Sequence, residues 1–379
     1  MTSTGVRIVD ELRRAPGGLS KKELAAATGL PWGTLFKAVG RLTGRGVLLP
    51  CPARAGTPGR PSIPLILNAD AAYFGGLDVG AATTRILFCD LGSRIRYQQT
   101  VPTERYTGRE RFLAWLDGLF SAALAEAKIA RGRLAAVGVA VSGNVDTDRG
   151  VIVSGGNFGM KYGADIAVAP LAERWGAPVH AVTTAVGAAA AEYHFGAYAH
   201  TGNLVTLGLG VGIGSGVVAN HQVLISQPHR PVGHIGHVLI PGNRHRCSCG
   251  FLGCLEAYSG GEYLKEIVRE ELPGRTDLAD AAALDRAAAA GDPDAVRIMT
   301  TAASYNAVGI AGMVQLYSPE VMVFSGGQSK LEGFLYNTTL EKLWQILPEE
   351  RRTFAVSITK LGEFQSALGA ARLAYEQFF

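Results

Sequence analysis

The chain has 379 residues, 47% of them hydrophobic and 18% charged, with 49 glycines and 17 prolines. At roughly 100–200 residues per domain, this length excludes a single small binding module, and the composition excludes a disordered chain. The net charge of +4 is unevenly placed: residues 1–69 hold ten Lys and Arg against three Asp and Glu, and the remainder 26 against 29. A basic N-terminal segment points to nucleic acid as a partner.

Arg7, Asp10, Glu11, Arg13 and Arg14 interrupt the apolar residues at the start, so no secretory leader is expected. The most apolar run, residues 204–219, carries five glycines between Gly208 and Gly216 and falls short of the roughly 18 residues of a membrane span. The five cysteines are odd in number, and Cys247, Cys249 and Cys254 fall within eight residues. That spacing suits a metal better than a disulfide framework and points to a reducing cytoplasm.

In chain order, Val6, Val9 and Leu12 recur at helical spacing until Pro16-Gly17-Gly18 stops the helix. Ser20-Lys21-Lys22-Glu23 is a capping box that opens a second helix to about Thr28. Gly29 supplies a turn, and a third helix over 31–43 buries Leu35, Val39 and Leu42 while exposing Thr34, Lys37 and Arg41. Gly40 within it costs about 1 kcal/mol relative to Ala. The β-prone stretches 47–49 and 64–67 then bracket a basic, wing-like loop, 54–61. The pattern reads as a winged helix-turn-helix; three short helices and a hairpin that merely pack together are the alternative.

From Gly75 onward the text alternates strands with Ala- and Leu-rich helices. Strands are expected at 76–78, 85–89 and 137–141 and a helix at 109–130. Further strands follow at 203–209, 214–219 and 321–324. This is α/β architecture in two related lobes.

Gly233-His234-Ile235-Gly236-His237, followed by Cys247-Ser248-Cys249-Gly250-Phe251-Leu252-Gly253-Cys254-Leu255-Glu256, resembles the signature of the ROK family of repressors, open reading frames and kinases. The resemblance extends through Gly76-Leu77-Asp78-Val79-Gly80, Ser142-Gly143-Asn144-Val145-Asp146, the glycines at 210, 212, 214 and 216, and Ser325-Gly326-Gly327. Gly59-Arg60-Pro61 fits the wing of the family's repressors, so the likeness covers essentially the whole chain. It implies a winged helix-turn-helix over 1–69 joined to a two-lobed, actin-like (ribonuclease H-like) sugar-kinase fold. The lobes are expected at 70–195 and 196–379, with the C-terminal helix a candidate to pack back on the first. A ligand cleft between lobes and a homodimer or homotetramer are implied as well.

The same resemblance places a structural Zn²⁺ on His237, Cys247, Cys249 and Cys254, a Cys₃His set that leaves no ligand position for water. Three unrelated buried cysteines are the alternative, of the kind represented by Cys51 and Cys89. Phosphoryl transfer to a sugar hydroxyl needs a carboxylate to accept the proton. When the chain is aligned on residues 187–192, the Asn-Asp-x-Asn of the family's active kinases falls on Thr183, Thr184, Ala185 and Val186, so the base is expected to be absent. Thr184 fits ligand binding or a simple helix N-cap. The phosphate loop Asp-x-Gly-Gly-Thr has likewise become Asp78-Val79-Gly80-Ala81-Ala82.

Sugar-contacting positions of the family fall on Asn157, Thr183, Thr184, His234, His237 and Glu256; His234 replaces a Glu. Losing an Asp and a Glu and gaining a protonated His234 would make the pocket less negative by up to three charges. An acidic or modified sugar-like effector suits that change, and a vestigial cleft is the alternative. The expected function is a catalytically inactive transcriptional regulator, read as a repressor, on a palindromic double-stranded operator. Thr34, Lys37, Arg41 and Arg60 are the expected DNA contacts, against the plainer reading of solvated surface groups. The competing class is an active ATP-dependent sugar kinase that keeps a DNA-binding domain and uses Asp78 or Glu256 as base.

Overall fold

The structure is a computed structural model, and it describes residues 3–52, 63–104, 108–155, 165–226, 232–327 and 333–379. Arg60, with the basic loop around it, and Asn157 lie outside the described residues.

Three helices open the chain: α1 (Thr4–Arg14), α2 (Lys21–Thr28) and α3 (Trp32–Gly44). The capping box at α2 forms both of its bonds, since Ser20 Oγ accepts from the Glu23 N–H and Glu23 accepts from the Ser20 N–H at 2.7 Å. Gly29 closes α2 in the left-handed region, which turns the chain toward α3. Leu35, Ala38, Val39 and Leu42 are the buried stripe of α3. Strands β1 (Leu48–Pro50) and β2 (Leu65–Leu67) pair antiparallel, Leu48 opposite Leu67.

The next segment comprises β3 (Tyr73–Val79), β4 (Thr83–Asp90), β5 (Ile95–Pro102), α4 (Arg109–Glu126) and β6 (Leu134–Val141). After these come β7 (Asn144–Asp146), β8 (Val151–Ser154), β9 (Ile166–Ala167), α5 (Ala169–Trp175), β10 (Val179–Thr183) and α6 (Thr184–Phe195). The first large sheet has the order β10-β6-β3-β4-β5, an antiparallel meander of β3 to β5 extended by parallel β6 and β10. Strands β7 to β9 form a separate small antiparallel sheet.

The remainder repeats that logic. Strands β11 (Leu204–Leu209), β12 (Ile213–Ala219) and β13 (Gln222–Val223) are followed by helices α7 (Glu256–Ser259), α8 (Gly261–Glu271), α9 (Ala281–Ala289) and α10 (Pro293–Tyr317). The chain ends with β14 (Val321–Ser325), α11 (Phe334–Ile346), β15 (Ala355–Ile358) and α12 (Gln365–Glu376). The second sheet, β13-β12-β11-β14-β15, is again three antiparallel strands extended by two parallel ones.

Two features position the site. Helices α6 and α12 pack against each other, and α12 also lies on β3 and β6 of the first sheet. Among the described residues, the N-terminal helices bury no core separate from the first sheet. Val6, Val9, Leu35, Leu48 and Leu65 belong to one continuous apolar cluster with Phe74, Leu87, Ala371 and Tyr375. Burying surface jointly in this way ties the basic segment to the first sheet through α12.

Candidate functional site

A cleft of about 1530 Å³ opens between the two large sheets. Its walls include the turn after β3, the start of α6, the glycine-rich β11–β12 turn, the segment carrying His234 and His237, and the start of α12. Thr183, Thr184, His234, His237 and Glu256 all line it, so five of the six expected ligand contacts are brought together. The sixth, Asn157, is outside the described residues.

The start of α6 separates the two threonines. Thr183 is the N-cap, its hydroxyl accepting from the Val186 N–H at 3.1 Å. Capping therefore falls to Thr183, and Thr184, the first helical residue, is half-buried on the cleft wall. Neither hydroxyl can take up a proton usefully near neutral pH.

Asp78 ends up in a pair that the sequence reading missed. It sits directly across the β3–β4 hairpin from Arg85, whose guanidinium lies 3.7 Å from its carboxylate and 3.5 Å from that of Glu363. Burial pushes the Asp78 carboxyl up to about 6, with Arg85 pulling the other way. The carboxylate of the altered phosphate loop is thus already held by a cation of the same chain. The signal was present: a residue seven positions on, across a short turn, shares a face with its partner once the hairpin register is known.

Gly233 and Gly236 explain how the histidines reach the cleft. Gly233 has a φ of +71°, and a side chain there would collide with the Ser215 carbonyl. A Cβ on Gly236 would collide with the Ile213 carbonyl. Both glycines let the His234–His237 turn press against β12. Burial, with the His237 imidazole next in effect, lowers His234 to about 4. His234 is therefore neutral near pH 7, so the third positive increment expected for the pocket is not met. Glu256 is buried, its carboxylate accepting from the Ile213 N–H at 2.7 Å, and burial raises its pKa.

His237, Cys247, Cys249 and Cys254 offer ligand atoms that lie within 4.8 Å of one another. Cys247 Sγ is 3.6 Å from His237 Nδ1, and Cys249 Sγ is 3.6 Å from Cys254 Sγ. Ligand atoms about 2.0–2.3 Å from a tetrahedral metal are separated by about 3.5–3.8 Å, so these contacts suit the edges of such a site. Surrounding groups support the loop: Tyr263 Oη accepts from the Ser248 N–H at 2.7 Å, and Asn243 Nδ2 donates to the Cys254 carbonyl at 2.7 Å. Burial works against ionisation of the Cys247 thiol, but His237 and Cys249 outweigh it and bring the thiol down to about 6. The donor set fits a borderline-soft metal such as zinc, and four protein ligands leave no position for a reacting water.

On the N-terminal unit, Thr34, Lys37 and Arg41 are all exposed on α3, as expected. Trp32 and Phe36, not singled out in the sequence, share that surface at 56% and 54% exposure.

Two sheets of repeated topology facing a glycine-rich cleft, with α6 and α12 packed together between them, define an actin-like sugar-kinase fold. The ROK family model matches residues 74–377, and the chain belongs to the ROK family. It is 30% identical over 253 residues to the glucokinase of Thermotoga maritima, covering 64% of this chain and 79% of that protein. It is 25% identical over 336 residues to the DNA-binding transcriptional dual regulator NagC of Escherichia coli, covering 84% of this chain and 78% of that one. A crystal structure of a ROK family transcriptional regulator, a homologue of the E. coli MLC protein, matches with a TM-score of 0.81 at 20% identity. That match covers 99% of this chain and 98% of the other. Among the described residues, no helix is long and apolar enough to cross a membrane.

Proposed function

We propose that this chain is a cytoplasmic, zinc-containing, DNA-binding transcriptional regulator, a repressor, whose kinase-like cleft binds an effector without phosphorylating it. The observation that carries the reading is the core shared by the basic N-terminal helices, the first sheet and α12. It makes the helical unit an integral part of the fold and gives the cleft a mechanical link to it.

In this reading residues 1–69 are a winged helix-turn-helix, and 70–195 and 196–379 are the two lobes. Lys37 and Arg41 contact phosphates, Thr34 faces base edges and Arg60 reaches a groove from the wing. A symmetric homo-oligomer places two such units on a palindromic operator. Zinc on His237, Cys247, Cys249 and Cys254 fixes the loop that ends at Glu256. Inactivity follows from Thr184 at the place of the base and from Asp78 being paired with Arg85. With two anions lost, the cleft favours a sugar-like effector bearing an acidic or otherwise modified group, held by Asn157, Thr183, Thr184, His234, His237 and Glu256.

One observation favours a second reading, an active sugar kinase: Glu256 and Asp78 are cleft carboxyls with raised pKa, as a general base requires. Sugar-dependent ADP formation would establish it. The test of the first reading is retention of sheared genomic DNA at near-physiological salt, with Arg60→Ala alongside, followed by sequencing. A short palindrome enriched by the wild type and lost in the variant is the expected result. No enrichment by either protein overturns the regulator reading.

A further inference from the structure

This inference rests on the regulator reading above and concerns how α3 would read its operator. In a helix-turn-helix, the first turns of the second helix meet the base edges. The exposed positions there are Trp32, Gly33, Thr34, Phe36 and Lys37. Of these, Thr34, Lys37 and the indole N–H of Trp32 can hydrogen-bond through their side chains. No Asn, Gln or Arg stands in these turns, and Lys37, the one side chain there suited to guanine, is assigned to phosphate in the regulator reading. The area is instead aromatic, with Trp32 and Phe36 one helical turn apart on one ridge and Gly40 continuing it.

Charge points to DNA as the occupant. Charge complementarity is built around the ridge: Lys21 Nζ lies 4.4 Å above the Phe36 ring, and Lys37 and Arg41 flank it on the neighbouring ridge. The glycines leave room for a close approach. Glycine destabilises a helix, and α3 carries Gly33 and Gly40 on its exposed face. At Gly33 and Gly40 a Cβ would meet nothing within 4 Å. Gly44, Gly118 and Gly312 elsewhere in the helices have the same open space, so what distinguishes Gly33 and Gly40 is their place on the exposed face of α3 beside Trp32 and Phe36, where they leave the backbone open to close approach.

We infer that Trp32 and Phe36 read thymine methyl groups in the major groove, and that Gly33 and Gly40 let α3 enter the groove closely enough for them to do so. The C5 methyl is the one apolar feature that a base pair presents there, and aromatic contact with it selects A·T pairs by burial instead of hydrogen bonding.

The test uses the full-length protein and the operator recovered from genomic DNA, with deoxyuridine replacing thymidine one position at a time. Deoxyuridine removes only the methyl group. Each contacted position in a half-site should weaken binding by about fourfold, the equivalent of one buried methyl, while replacement outside the half-sites changes nothing. Trp32→Ala and Phe36→Ala should bind more weakly and lose sensitivity to deoxyuridine at the positions they cover. Gly40→Ala should raise the melting temperature and weaken operator binding together, a pairing that a purely structural role would not produce. Unchanged affinity on fully deoxyuridine-substituted half-sites overturns the inference while leaving the regulator reading intact. So does a Trp32→Ala, Phe36→Ala variant that binds DNA normally but changes oligomeric state, which would assign the ridge to contact between copies. Failure to recover any operator overturns both.

Discussion

Arg372 donates to the carboxylate of Asp10 at 2.8 Å, joining the last helix of the chain to the first. The Arg372 side chain is 1% exposed, and its other nitrogen lies 3.3 Å from Glu376. Asp10 is also 3.1 Å from Arg13. At its opposite end, α12 begins with Gln365 and Ser366 in the wall of the cleft. There Gln365 donates to Glu192 of α6 at 2.7 Å. One helix therefore spans from the cleft to α1, which packs against the α3 that carries Thr34 and Lys37.

Removing Arg372 takes a buried cation from both Asp10 and Glu376 and leaves Asp10 with Arg13 alone. Arg372→Ala should destabilise the protein by about 3–5 kcal/mol, whereas a double replacement by Asp10→Leu and Arg372→Met should cost much less. Urea denaturation of the four members of the cycle measures the coupling. Additive single effects would show that the pair does not couple the helices.

Asp78 gives a pH dependence with a definite sign. Its folded pKa, about 6, lies above the ordinary value of 3.8, so the native state keeps a proton that the unfolded chain releases. The favourable contribution is complete below about pH 4 and is lost as pH rises through about 6, roughly 3 kcal/mol for a two-unit shift. Asp78→Asn removes the titrating group. The stability of this variant relative to wild type should therefore increase from pH 4 to pH 7, measured by denaturation at each pH. Parallel profiles would mean that the carboxyl titrates normally.

How much of this was legible from the sequence follows the range of each interaction. The α2 capping box and the limits of α3 are local, and they appear within a residue of where the sequence puts them. The helix expected to reach 130 stops at Glu126, because the chain turns at Lys128, which has a φ of 55°. The metal-ligand cluster was legible because three of its four residues share one short loop. Pairing of Asp78 with Arg85 needed a hairpin register, and Arg372 with Asp10 needed the whole fold. Trp32 and Phe36 were missed because an amphipathic pattern assigns polar residues to the outside and says nothing of apolar ones that stay there.

The metal cluster makes a compositional prediction. Purified protein should carry one zinc per chain by elemental analysis, and Cys247→Ser should carry none. Loss of the ion should lower the melting temperature and weaken ligand binding at the cleft, because the loop that holds His237 and Glu256 would lose its anchor. An apo protein that keeps the wild-type melting temperature would refute a structural role for the metal.

The cleft itself can be tested by restoring what the sequence lacks. If its loss of anionic groups sets the effector class, calorimetry should find a sugar acid or sugar phosphate bound more tightly than the corresponding neutral sugar. Thr184→Asp places a carboxylate back at the start of α6, on the cleft wall. It should weaken binding of the anionic sugar by about tenfold through like-charge repulsion and leave the neutral sugar nearly unaffected. The helix N-terminus tolerates Asp well, so the substitution should not disturb the fold. Equal loss for both ligands would locate the effect in the shape of the site, and tighter binding of the neutral sugar by wild type would rule out the anionic class. Measuring ADP formation on the same variant separates binding from catalysis. With Asp78 still paired to Arg85, restoring this one carboxylate should yield no sugar-dependent turnover.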